Sequence, residues 1–221
     1  MDNKARTVKV WDPLVRIFHW SLVVFFFAAY ISAEEAEGLH VTAGYVVLAL
    51  VAFRVVWGFI GPRHARFTDF VYGPGKILCY LKGLATGRPG HYLGHNPAGG
   101  AMIVVLLVFL LITTFAGLKT LAVEEGAGPF AYENGLVVST AHADGFFELG
   151  EDDDDEHEEH GRYGEHGEGG EEFWEEVHEV FANTTLILAL VHILGAVVSS
   201  VLHKENLILS MITGRKRTEG S

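Results

Sequence analysis

Apolar positions in this chain gather into four long runs that are nearly free of charge, separated by polar stretches. The clearest run is Ala98 to Leu118, 21 residues without a charged side chain. At about 1.5 Å per helical residue it crosses a hydrocarbon layer of roughly 30 Å. Val180 to Leu202 is interrupted only by Asn183, His192 and hydroxyl residues. Val41 to Gly61 carries one charge, Arg54, and Leu14 to Ala33 is apolar beyond Arg16 and His19. The pattern predicts an all-α integral membrane bundle of four helices, spanning about 14–33, 39–61, 98–120 and 176–203 as one membrane domain over 1–221.

Lys and Arg set the direction of the spans, because cytoplasmic segments are enriched in both. Lys4, Arg6, Lys9 and Arg16 lie at the N-terminus, Arg63, Arg66, Lys76, Lys82 and Arg88 between spans two and three, and Lys204, Arg215, Lys216 and Arg217 in the tail. These regions belong on one side, so both termini are expected in the cytoplasm. The turn with Glu34, Glu35 and Glu37 and the long 119–175 segment then face the periplasm. Basic residues before an apolar run also describe a cleaved secretory signal, but Ile31 fits poorly where cleavage after Ala33 needs a small residue. Within the 61–97 loop, Ile77, Leu78, Leu81 and Leu84 recur at helical spacing and predict a short interfacial helix.

Composition removes several classes. Of 221 residues 20% are charged and the net charge is -12, yet most of the acid falls in 151–172. That stretch has too little apolar surface to fold alone and reads as a disordered, solvated loop. Nucleic-acid binding finds no basic patch. The single cysteine, Cys79, excludes an internal disulfide framework and a Cys-ligated iron-sulfur cluster. No Ser/His/Asp pattern, phosphate loop or paired catalytic carboxylate is present, so no catalytic residue is assigned.

Ionisable side chains are costly inside a membrane and each is a functional candidate. His19 lies inside the cytoplasmic end of span one, and His40 opens span two from the other side. His178 and His192 lie 14 residues apart on span four. That spacing returns to within about 40° of the same helix face, roughly 21 Å further along. Depth therefore pairs His19 with His192 toward the cytoplasm and His40 with His178 toward the periplasm. Two facing imidazoles with no carboxylate or thiolate nearby suit the axial positions of a low-spin b-type haem, and two stacked haems make an electron path. Gly44 and Gly195 could leave clearance for a macrocycle or mark ordinary helix packing, while Arg16 and Arg54 could meet haem propionates or simply orient their helices.

At this point the sequence resembles the bacterial cytochrome b561 and nickel-iron hydrogenase b-type cytochrome family. The motifs are WDPLVRIFHW (11–20), LHVTAGY (39–45), FRVVWGFIGPRHARFTDF (53–70), YLGHNPAGGAM (92–102), VHEVFAN (177–183) and LVHILGAVVSSVLHKENLILSMITGRKR (190–217). The resemblance implies four helices holding two haem b groups, with ligands that map to His19, His40, His178 and His192. It also implies electron transfer in the inner membrane between the quinone pool and a redox partner. That partner would be a dehydrogenase or hydrogenase subunit or a periplasmic cytochrome c, and one branch oxidises superoxide with ubiquinone as acceptor. The chain differs from shorter members in its expanded loop before span four.

The remaining histidines read more simply. His64, His91, His95 and His203 fit solvated or interfacial turns, and His95 or His203 could instead protonate a quinone at the cytoplasmic surface. His157, His160 and His166 could hold copper, nickel or zinc among the carboxylates, or the acidic run could steer a basic cytochrome c. Membrane lipid is the expected surrounding, nucleic acid is not an expected partner, and a homodimer is compatible with the pattern. The rival function is a transition-metal transporter in which intramembrane histidines ligate the cargo and the acidic loop gathers it.

Overall fold

The computed structural model describes residues 7–87, 90, 92, 94–131, 165–202 and 206–217. In chain order the helices are α1 (Pro13–Ser32), α2 (Glu37–Ile60), a 3-10 turn (Arg63–Ala65), α3 (Phe67–Phe70), α4 (Pro74–Ala85), α5 (Pro97–Glu124), α6 (Glu165–Leu202) and α7 (Leu207–Thr213). Four of them, α1, α2, α5 and the apolar part of α6, are long and apolar enough to cross a membrane. The all-α membrane architecture expected from the runs is present.

Local chemistry sets the ends. Proline takes the first turn of α1 and of α4, where its missing N–H costs nothing. At the end of α2 the Gly61 N–H still bonds to Trp57 O, and Pro62 prevents continuation. Asn206 caps α7 through its side chain, which accepts from Leu209 N at 2.8 Å, and Gly214 closes that helix at a φ of 79°.

The chain forms two compact units, one from residues up to Leu111 together with those from Ala182 onward, the other Ile112–Phe181. The first unit has a buried core of Phe18, Val47, Val51, Leu107 and Leu110, with Phe25, Leu50 and Ile103 packed against it. Its helices otherwise present apolar residues outward, with Ile31 75% and Phe59 71% exposed. Such a surface is costly in water and natural against lipid.

One end of this unit is closed by the termini. Strand β1 (Thr7–Lys9) pairs antiparallel with β2 (Arg215–Arg217), aligning Thr7 with Arg217 and Lys9 with Arg215. Gly214 O accepts from Val10 N at 3.0 Å and Trp11 N at 3.2 Å, and Trp11 Nε1 donates to Ser210 Oγ at 3.3 Å. The sequence pattern gives no sign of these three-residue strands, which exist only through long-range pairing.

The acidic segment needs a correction. Helix α6 begins at Glu165, so 165–172 is helical where composition predicts loop. Extending a helix from an apolar nucleus costs little, and carboxylates near the N-terminal end complement its dipole. The other residues of 132–164, with His157 and His160, lie outside the described residues.

Gly100 supports the entry to α5, for a Cβ there would collide with the backbone oxygen of Phe70. Gly100→Ala should therefore destabilise the detergent-purified protein by about 1–3 kcal/mol. A thermal melt checks this, with Gly75→Ala, which meets open space in α4, expected to leave the melt unchanged or slightly raised.

Candidate functional site

The four span histidines fall on α1 (His19), α2 (His40) and α6 (His178 and His192). His40 Nδ1 lies 2.9 Å from Ala29 O, and His178 Nδ1 lies 2.8 Å from Thr113 O. A carbonyl can only accept, so in both rings Nδ1 carries a proton, and the neutral ring then has its lone pair on Nε2. This is the arrangement of a metal-ligating imidazole, whose second nitrogen is fixed by a backbone acceptor.

The sequence explains why these carbonyls are available. Ala29 lies in the last turn of α1, and its carbonyl oxygen also accepts from Ser32 Oγ at 3.3 Å. Thr113 lies within α5, and the residue one turn on is Gly117. A Cβ at Gly117 would stand 2.8 Å from His178 Cε1, so only glycine lets the ring reach the carbonyl. Gly117 was not singled out from sequence, because glycine in an apolar span carries no mark of what approaches it.

His19 and His192 lie close enough for His192 to act electrostatically on His19. His19 Nδ1 is buried and finds no hydrogen-bond partner among the described residues. Arg54 is 2% exposed, with its guanidinium carbon 5.3 Å from the Phe67 ring centroid and 5.6 Å from that of Phe70. Two ring faces offset part of the cost of a buried cation, yet Arg54 Nη1 still has no acceptor among the described residues. Arg16 donates to Ile212 O and keeps a buried Nε without a partner.

The other sequence candidates separate. A Cβ at Gly44 or at Gly195 would meet nothing within 4 Å, leaving open space beside both helices. His95 is packed edge-on against Trp11 at 4.5 Å and lies 4.8 Å from Phe70. His64 is paired with Asp69 at 2.9 Å, which also holds Arg63 at 3.5 Å. His91 and His203 lie outside the described residues, and of the His166 side chain nothing is described. Phe67 and Phe70, whose rings lie over Arg54, had no signal in the sequence, being apolar residues in a loop without periodicity.

Histidines whose Nδ1–H is committed to a backbone carbonyl, buried donors lacking acceptors among the described residues and open space at helical glycines fit a haem group. The fold and site define a four-span membrane protein equipped to hold haem. Residues 10–214 match the model of prokaryotic cytochrome b561, and the chain belongs to that family. It is a multi-pass b-type cytochrome of the prokaryotic inner membrane, and its role is electron transfer on haem b.

Relatives carry the name "Probable Ni/Fe-hydrogenase B-type cytochrome subunit". That of Rhizobium leguminosarum bv. viciae is 25% identical, the match covering 96% of this chain and 90% of the relative. That of Bradyrhizobium diazoefficiens is 24% identical over 96% of this chain and 86% of its own. That of Azotobacter vinelandii is 29% identical over 52% of this chain and 60% of its own. No solved structure matches the chain.

Gly117→Ala should push His178 off the Thr113 carbonyl and alter the low-spin absorption or electron paramagnetic resonance signal of any haem it holds. Spectra of the purified variant check this, and an unchanged signal would refute the supporting role of Gly117.

Proposed function

We propose that the chain moves electrons across the inner membrane through two b-type haems, between the quinone pool and a periplasmic redox partner. His19 and His192 hold the haem nearer the cytoplasm, and the depth of His40 and His178 along their helices pairs them for the other. The observation that carries this reading is the fixed tautomer of His40 and His178, each donating Nδ1–H to a backbone carbonyl and presenting Nε2. Bound haem supplies reversible one-electron exchange at its iron.

The residues then have separate tasks. The imidazoles would hold the iron, and the buried donors of Arg54 and Arg16 would offer partners to propionate oxygens. Gly44 and Gly195 leave room beside the helices. Orientation follows the basic residues, with both termini cytoplasmic; the β1 and β2 pairing, which brings the termini together, supports a common side. Quinone chemistry exchanges protons as well as electrons, and His95 and His203 are the candidates for that surface. The names of the relatives favour a hydrogenase as the redox partner, with a dehydrogenase subunit or cytochrome c as the other choices, and a homodimer is compatible with this scheme.

A transition-metal transporter would need an assembled cage. Among the described residues no three His, Cys, Asp or Glu side chains gather into one.

A pyridine haemochrome assay on detergent-purified protein should return about two haem b per chain with low-spin bands. His19→Ala and His192→Ala should remove one and the same haem, and His40→Ala and His178→Ala the other. Stoichiometric zinc, copper or nickel without haem would overturn the function, and loss of one common haem by His40→Ala and His192→Ala would overturn the pairing.

A further inference from the structure

The connection between α2 and α5 holds a cavity of about 540 Å³ between one flank of α4 and the stretch around Tyr92. That is the size of a ligand pocket. Its walls are aromatic, with Tyr92 edge-on to Tyr72 at 5.9 Å and to Tyr80 at 5.8 Å. Its charges are of one sign, since Lys76 and Lys82 line it and none of its lining residues is a carboxylate. Lys76 Nζ is held 5.6 Å over the Tyr72 ring. Asp69, the acidic group nearest Tyr72, is already engaged by Arg63 and His64.

One hydroxyl joins the two lysines as a donor. Burial pushes Tyr72 above the usual tyrosine range, so its hydroxyl remains a protonated donor at neutral pH, while the Tyr80 hydroxyl is buried and leaves only its ring to the wall. Thr86 closes the rim, its own hydroxyl donating to Lys82 O at 3.0 Å. A pocket of cations and donors without a carboxylate selects an anion rich in acceptor oxygens, and phosphate is that anion.

The same helix says where the anion comes from. Leu78 is 60% and Leu81 43% exposed on α4, an apolar face beside a cationic flank. This is the pattern of a helix lying in the plane of a membrane surface. The flanking spans keep this loop at a bilayer face, where lysines attract anionic lipids.

We propose that this cavity seats the phosphate head group of an anionic phospholipid, gripped by Lys76 and Lys82, with the acyl chains leaving along the exposed leucine face of α4. The inference rests on the membrane location of the chain and not on the haem pairing. Its site lies apart from all four span histidines in sequence.

Native mass spectrometry of the full chain in detergent, offered equal phosphatidylglycerol and phosphatidylcholine, tests it. The expected result is one phosphatidylglycerol retained per chain in preference to phosphatidylcholine. Lys76→Gln and Lys82→Gln should each reduce that retention roughly fivefold. Leu78→Gln with Leu81→Gln should weaken it while leaving the head-group preference. Helical circular dichroism and haem content in the same samples should stay at wild-type level, which separates this site from the haem reading. Equal retention of the two lipids, or unchanged retention in both lysine variants, would overturn the proposal. Displacement of the lipid by inorganic phosphate at matched concentration would overturn the lipid source in favour of a soluble phosphate compound.

Discussion

On the proposed function, the bonds from His40 to Ala29 and from His178 to Thr113 are the interactions on which the chemistry of this molecule would depend. An imidazole free to choose its tautomer offers either nitrogen and orients poorly. An imidazole whose Nδ1 proton is committed to a helix carbonyl offers one lone pair in one direction. Each bond also satisfies a polar group that lipid would leave bare, at a cost of several kcal/mol per unpaired group by the usual order of magnitude. Ligand readiness and membrane stability are therefore met by the same contact.

Both contacts require a helix carbonyl that can be approached from the side. In the first unit the last turn of α1 provides it, while in the second unit Gly117 removes the side chain that would shield Thr113 O. The glycines of the chain thus fall into two physical kinds. Gly58, Gly100 and Gly117 are filled by neighbours, respectively the Phe67 ring, the Phe70 backbone and the His178 ring. Gly44 and Gly195 meet nothing within 4 Å instead, Gly195 on the exposed side of α6.

Much of this was legible in the sequence, and the boundary has a physical basis. Apolar runs longer than a bilayer needs leave one architecture, since backbone groups in lipid must bond within a helix or a closed barrel. The span histidines stood out because ionisable groups there carry a cost that only a role offsets. The loop helix Pro74–Ala85 appeared where Ile77, Leu78, Leu81 and Leu84 repeat at helical spacing. What stayed hidden depends on contacts between distant residues. The pairing of Thr7 with Arg217, the Phe67 and Phe70 rings against Arg54 and the clearance at Gly117 have no local signature. The start of α6 was misplaced because composition reports how a segment would behave alone, and residues 165–172 are not alone but continue a helix already formed.

Arg54 shows how much an unfinished charge balance can say. A guanidinium at 2% exposure has lost most of its hydration, and Phe67 and Phe70 return part of that through their ring faces. Ring faces give no acceptor to Nη1, and a buried donor left unpaired costs about 1–3 kcal/mol. In a helix interior that must remain dry, water is a poor remedy, and a leucine would have been the cheaper residue. Retaining arginine there makes physical sense when an anionic oxygen completes its shell. Arg16, with a buried Nε in the same condition, and His19, with its unpartnered Nδ1, belong to the same unit. Three incomplete polar groups in one compact unit of a membrane protein are less a defect of packing than the outline of a group the protein is built to receive.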